Sequence, residues 1–231
     1  MNSATPGLLK YSTRLEVKDH ISAVNAQNAE IEARLLATPL EQVSADVDLS
    51  RFATAGGGAV FRTYCAQCHG AGAQGFKGYP NLQDDVWLWG GDLEALEITI
   101  RHGIRHNADE DTRYSEMPKF GEFLEEDEIA QLAEYVLSIS GQDYDRSVAV
   151  NGENLFADNC SSCHGDTAKG DREQGAPNLT DALWLYGGDR ETIAQTIKNS
   201  RFGVMPAWQG RLTEAQIKQV TFYVHQLGGG E

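Results

Sequence analysis

The sequence predicts an all-α protein of two tandem helical repeats behind an N-terminal helical segment. Three observations lead there. Apolar residues recur at helical spacing, no stretch sustains the alternation of a strand, and residues 51–143 repeat in motif order as 144–231. Gly57, Phe61, Cys65 and His69 return as Gly152, Phe156, Cys160 and His164. Pro80-Asn81-Leu82 returns as Pro177-Asn178-Leu179, and Trp87-Leu88-Trp89-Gly90-Gly91-Asp92 as Trp184-Leu185-Tyr186-Gly187-Gly188-Asp189. Met117-Pro118 and Tyr135-Val136 return as Met205-Pro206 and Tyr223-Val224, the first repeat carrying extra polar residues over 106–115.

Taken in chain order, residues 1–50 stand outside the repeat. From 13 to 37, Ile21, Val24, Ile31 and Leu35 follow a/d-like spacing interrupted by Asn28, and Pro39 ends the run. This helix either lies on the first repeat or forms a stalk against another subunit. Each repeat then opens with a short helix, near 57–67 and 152–162, that runs into a cysteine motif. A middle helix follows over 94–102 and 191–200, and a final helix over 125–140 and 214–226. Thr213 with Gln216 forms a capping box for the last of these, and Gly141 and Gly228 are suited to stop the final helices. Phe61 with Tyr135, and Phe156 with Tyr223, are expected to pack first helix on last within each repeat.

Composition narrows the function. Nineteen Lys+Arg against 34 Asp+Glu give −15 over 231 residues, which opposes phosphate backbones and argues against a nucleic-acid partner. Hydrophobic residues at 41% suffice for globular cores. No run is long and apolar enough for a membrane span, and the first twenty residues lack the apolar stretch of an export signal.

All four cysteines fall in Cys65-Ala-Gln-Cys68-His69 and Cys160-Ser-Ser-Cys163-His164. Each is the C-x-x-C-H pattern of covalent c-type haem attachment. On a helical turn these positions share a face, so two thiols can bond the vinyl groups while the histidine reaches iron. Structural zinc wants four ligands where each cluster offers three, and a redox C-x-x-C wants a surrounding βαβ pattern that is absent. Apart from Met1, the two methionines are Met117 and Met205, one after each motif and both before proline. A thioether opposite the histidine gives the His/Met ligation of electron carriers and leaves no open position for substrate. The expected metal ligands are therefore His69, Met117, His164 and Met205, with two covalent haems c on Cys65, Cys68, Cys160 and Cys163.

Other residues keep two readings. Trp87 and Trp184 are core residues beside haem, or indole donors to its propionates. His102 aligns with Asn199 and His106 borders the unmatched loop, so neither has a ligand counterpart. The acidic runs Asp109-Glu110-Asp111 and 125–128 are solvated surface, or a field that steers a basic electron donor.

Each repeat resembles a mitochondrial-type cytochrome c domain. That resemblance implies that Pro80 and Pro177 accept a hydrogen bond from the ligand histidines. The combination of Gly78-Tyr79-Pro80-Asn81-Leu82, Trp87-Leu88-Trp89-Gly90-Gly91, Thr99-Ile100-Arg101-His102-Gly103-Ile104-Arg105 and Ser115-Glu116-Met117-Pro118 is similar to the dihaem subunit III of cbb3-type cytochrome c oxidases, as are Leu8-Leu9-Lys10-Tyr11-Ser12 and Ala37-Thr38-Pro39-Leu40-Glu41. It implies electron transfer from a soluble cytochrome c donor to the other subunits of a haem-copper oxidase in aerobic or microaerobic respiration. It also implies the periplasmic face of the bacterial inner membrane and a membrane anchor upstream of the matched region. A free dihaem shuttle and a dihaem peroxidase-like enzyme are the alternatives, the last requiring one iron without a tight sixth ligand.

Overall fold

The computed structural model describes residues 12–231, and the Leu8 to Tyr11 part of the upstream resemblance lies outside them. Among the described residues the chain forms helices, with isolated β-bridges and no extended strand. Helix α1 (Thr13–Ala37) starts where the Ser12 hydroxyl accepts the Leu15 N–H. Its first turns stand clear of the body, with Ile21 and Val24 more than half exposed. Only its end is anchored: Leu35 is fully buried among Leu40, Val43, Leu49, Ala53 and Phe222. Lys218 Nζ donates to the carbonyls of Leu35, Leu36 and Thr38, which satisfies the acceptors left over at the helix end.

Helix α2 (Val47–Val60) begins about ten residues earlier than the periodicity implies, because the Asp46 carboxylate accepts the N–H groups of Asp48 and Leu49 and caps it there. A π-helical turn, Phe61–Cys65, passes into α3 (Ala66–His69). The remaining elements are α4 (Leu93–His102), α5 (Glu126–Ile139), α6 (Gly152–Asn159), α7 (Ser161–His164), α8 (Arg190–Asn199) and α9 (Glu214–His225). Capping boxes open α5 at Glu125/Glu128 and α9 at Thr213/Gln216.

The packed bodies are not the two repeats. Helix α9 lies on α2 and α4, and α5 lies on α6 and α8, so each final helix serves the opposite repeat. The aromatic pairs are accordingly Phe61 with Tyr223 and Tyr135 with Phe156, at centroid separations of 5.6 and 5.4 Å, which corrects the pairing expected within each repeat. The packing crosses the 143/144 boundary expected between the repeats. One core joins Phe120, Ile129, Leu132, Val136, Leu155, Phe156, Ile193 and Ile197. The other joins Val60, Phe61, Leu96 and Ile100 to Leu212, Ile217, Val220 and Val224. The first body is one continuous stretch of chain, whereas the second is interrupted by it.

Glycine makes the crossings possible. A Cβ at Gly57 would lie 2.1 Å from the Gln219 carbonyl oxygen and 2.5 Å from Tyr223 Cβ. A Cβ at its repeat equivalent, Gly152, would lie 2.6 Å from the Gln131 carbonyl oxygen and 2.5 Å from Tyr135 Cβ. A side chain at either place would force the helices apart. The exchange follows chain proximity: α5 and α6 are separated by a short link, and consecutive elements pack together more often than not. Glu134 of α5 is buried, accepts the Asp145 N–H from that link at 2.7 Å and pairs with Arg190 at the start of α8.

Candidate functional site

Both cysteine motifs sit on a short helix that ends in glycine with positive φ, Gly70 (+82°) after α3 and Gly165 (+74°) after α7. The chain then turns back identically in both places. Gly75 N donates to His69 O and Gly170 N to His164 O, each at 2.8 Å, and Leu82 N and Leu179 N donate to the carbonyls of Ala73 and Ala168. Ala73 and Ala168 are both held at positive φ, a conformation alanine adopts only where its surroundings impose it. This turn brings a proline carbonyl to each histidine. His69 Nδ1 donates to Pro80 O at 3.1 Å, and His164 Nδ1 donates to Pro177 O at 3.0 Å.

That bond fixes each ring and leaves Nε2 with a free lone pair. Burial lowers the pKa of both imidazoles, against an opposing pull from the proline carbonyl, so both are neutral at pH 7, as a metal ligand must be. None of the four cysteines is paired in a disulfide. Burial, with the neighbouring thiol adding to it, pushes Cys65 and Cys160 up to about 11.

The methionines pack crosswise between the repeats. Met205 packs into the core that holds Cys65 and Trp87, and Met117 into the core that holds Cys160, Leu179 and Trp184. Backbone bonds seat the two loops. Ile104 N donates to Met205 O and Met205 N to Ile104 O, at 2.9 and 3.0 Å, just beyond the end of α4. Ser200 Oγ, just beyond the end of α8, donates to Met117 O at 2.6 Å. Each motif thus shares a core with the methionine of the other repeat. The donor set in each body fits haem c: two thiols on one helical turn, a neutral imidazole with Nε2 free, and a thioether in the same apolar core.

The aromatic residues divide. Trp87 stacks over Gly91, and Trp184 over Gly188. The Trp87 indole N–H is donated to the Gly229 carbonyl. Trp89 and Tyr186, matched in the repeat, were missed as site residues. They face the opposite repeat, Trp89 against Gly175 and Tyr186 against Gly78, where Gly78 N donates to Leu185 O at 2.8 Å. Among the described residues Trp89 Nε1 is buried with no hydrogen-bond partner, and the Arg113 guanidinium lies over its ring. His102 Nδ1 donates to Asp109 at 3.1 Å, and Gln209 Nε2 donates to the same carboxylate at 2.6 Å. Asp109 is buried, so this part of the acidic run is an internal tie between the extra loop and the second repeat.

A family model described as cytochrome c oxidase, cbb3-type, subunit III matches residues 52–136 and 148–224. The chain is 54% identical over 233 residues to a cbb3-type cytochrome c oxidase subunit CcoP of Cereibacter sphaeroides, covering all of this chain and 80% of that protein. It is 49% identical to a CcoP of Rhodobacter capsulatus (all of this chain, 81% of that protein) and 45% identical to a FixP of Sinorhizobium medicae (all of this chain, 80% of that protein). No helix among the described residues is long and apolar enough to cross a membrane. With both C-x-x-C-H helices, both proline-bonded histidines and both methionines in place, the chain belongs to the cbb3-type cytochrome c oxidase subunit III family.

Proposed function

We propose that this chain is the dihaem electron-transfer subunit of a cbb3-type oxidase, lying on the periplasmic side of the inner membrane. It takes electrons from a soluble cytochrome c and delivers them to the catalytic core carried by the other subunits of the haem-copper oxidase. One observation carries the reading: each motif histidine is oriented by a proline carbonyl, and the first cysteine of each motif packs in one core with a methionine. Cys65 and Cys68 hold one haem and Cys160 and Cys163 the other. His69 with Met205 and His164 with Met117 would supply the nitrogen and sulfur ligands of the two irons. Bound haem c supplies a one-electron iron couple.

The protein's own part is orientation and exclusion. Pro80 and Pro177 lock the imidazole planes. With haem bound, the methionine sulfurs would leave no iron position for oxygen or peroxide, so the chain would relay electrons and not be an enzyme by itself. The apolar lining, with Trp87 and Trp184 at its edge, keeps water from the ligands and favours a high reduction potential.

The test uses a variant that retains a single haem. In Cys65→Ala/Cys68→Ala, Met117→Ala is expected to abolish the sulfur-to-iron charge-transfer band of the oxidised protein and open the reduced haem to carbon monoxide. Met205→Ala should leave that band in place. Loss of the band on Met205→Ala instead would overturn the crosswise assignment. Absence of covalently retained haem from the native chain after denaturing electrophoresis would overturn the whole reading.

A further inference from the structure

Arg105 lies where the two methionine loops meet. Its Nε donates to Gly203 O at 2.8 Å and its Nη1 to Ser115 O at 2.8 Å. Gly203 is two residues before Met205, and Ser115 is two residues before Met117. One planar guanidinium therefore holds the same backbone position in both loops. The guanidinium also lies over the Phe202 ring, 5.7 Å from its centroid, and Phe202 is the residue that matches Arg105 in the second repeat. The second repeat thus offers a platform where the first offers a clamp.

The surroundings hold Arg105 firmly. Its φ is +55°, a strained value for a non-glycine residue. Its own N–H donates to Arg113 O at 2.8 Å, and its neighbour Ile104 is bonded in both directions to Met205. Among the described residues no carboxylate lies within ion-pair distance of the guanidinium, and its side-chain hydrogen bonds both go to loop carbonyls. In a chain of net charge −15, a half-buried arginine used in this way is committed to backbone geometry. A lysine offers a single nitrogen and no rigid fork, and so does not replace it.

We propose that Arg105 is a positioning residue that ties the Met117 and Met205 loops together, so that the sulfur ligands of the two haems are held by one group and respond to one another. The inference rests on Met117 and Met205 being the axial ligands. Moving the guanidinium removes one tie from each loop at once, and pulling one sulfur away is transmitted to the other through the shared fork. This is a physical coupling through a defined contact, of the kind a double-mutant cycle measures.

The experiment uses the holoprotein with both haems. Arg105→Gln is expected to weaken the sulfur-to-iron band of both haems, to lower both midpoint potentials and to raise carbon monoxide binding at both, with helix content unchanged. Arg105→Lys keeps the charge without the fork and should recover at most one haem; it also carries the test if the glutamine variant fails to fold. In the native background Met205→Ala should also shift the potential of the haem held by His164, and in the Arg105→Gln background that shift should vanish. A response of only one haem or of neither to Arg105→Gln, or full recovery of both by lysine, overturns the clamp. If Met117→Ala and Met205→Ala leave both bands intact, the ligand assignment fails instead. If each removes one band while Arg105→Gln removes none, the ligands stand and the coupling fails.

Discussion

The body around His164 and the body around His69 contain equivalent parts joined in different orders. In the first, Met117 and α5 come before the cysteine motif, and the parts from Met117 to Ser200 follow one another without interruption. In the second, the motif and α4 come first, and Met205 and α9 arrive only after the whole of the other body has been traversed. Two repeats of one ancestral pattern have become an inserted body and an interrupted one. The contacts inside each are conserved in kind, down to the glycine crossings at Gly57 and Gly152. Connectivity is thus separable from packing. What a cytochrome c core requires is a set of faces, and the order in which the chain supplies them is secondary.

The largest effect that could break this comparison comes from cutting the chain. A fragment spanning 104–203 should fold, attach haem and show a methionine–iron band, whereas 51–143 and 144–231 expressed separately should each lack a six-coordinate His/Met haem. A stable His164–Met205 haem in isolated 144–231 would show that the crossing is not required.

Next in size are the crossings themselves. Gly57→Ala drives a methyl into backbone and should cost about 1–3 kcal/mol, the usual range for overpacking, measured by chemical unfolding of the holoprotein. Gly58→Ala is the control. Its added methyl meets chiefly the ends of the Arg62 and Tyr223 side chains, at 3.1 and 3.2 Å, and the gain in helix propensity should leave stability unchanged or slightly raised.

Glu134 sharpens the comparison further, because it joins α5 to α8 only in the inserted body. Arg190 holds its carboxyl below the usual glutamate range. A depressed carboxylate pKa contributes stability that is present above the ordinary value and lost as pH falls through the folded one. Glu134→Gln should therefore lower the melting temperature by a few degrees at pH 7, and the difference from native should narrow as pH falls below the ordinary glutamate value. A constant difference down to pH 3 would assign the loss to packing instead.

The smallest effect concerns charge. The stretch 51–143 carries most of the excess acid, so reduction by a basic cytochrome c should slow as ionic strength rises. A flat profile would show that this surface plays no part in the encounter.

Much of this was legible in the sequence, for identifiable reasons. C-x-x-C-H with His69 and His164, the two Met-Pro pairs and the Thr213/Gln216 capping box are local patterns whose chemistry is fixed within a few residues. The crosswise packing was not legible, because the competing faces are equivalent. Ile129, Leu132, Tyr135 and Val136 of α5 have the spacing of Ile217, Val220, Tyr223 and Val224 of α9, and nothing in either helix says which Phe it will meet. Aligning the repeats also hid what they do not share. Arg105 stands opposite Phe202, and the burial of Asp109 depends on His102 and Gln209, which only the folded chain brings together.

The interrupted body also sets an order of events. A polypeptide appears amino end first, and by the time Ser200 has emerged the pocket around the later cysteine motif has every piece it needs. The earlier motif must wait, its thiols and imidazole lacking a lid, until Met205 and the last helix arrive some twenty-five residues afterwards. On the proposed ligand set, maturation runs against reading order: the site written second is the first that can close, and the site written first waits for α9.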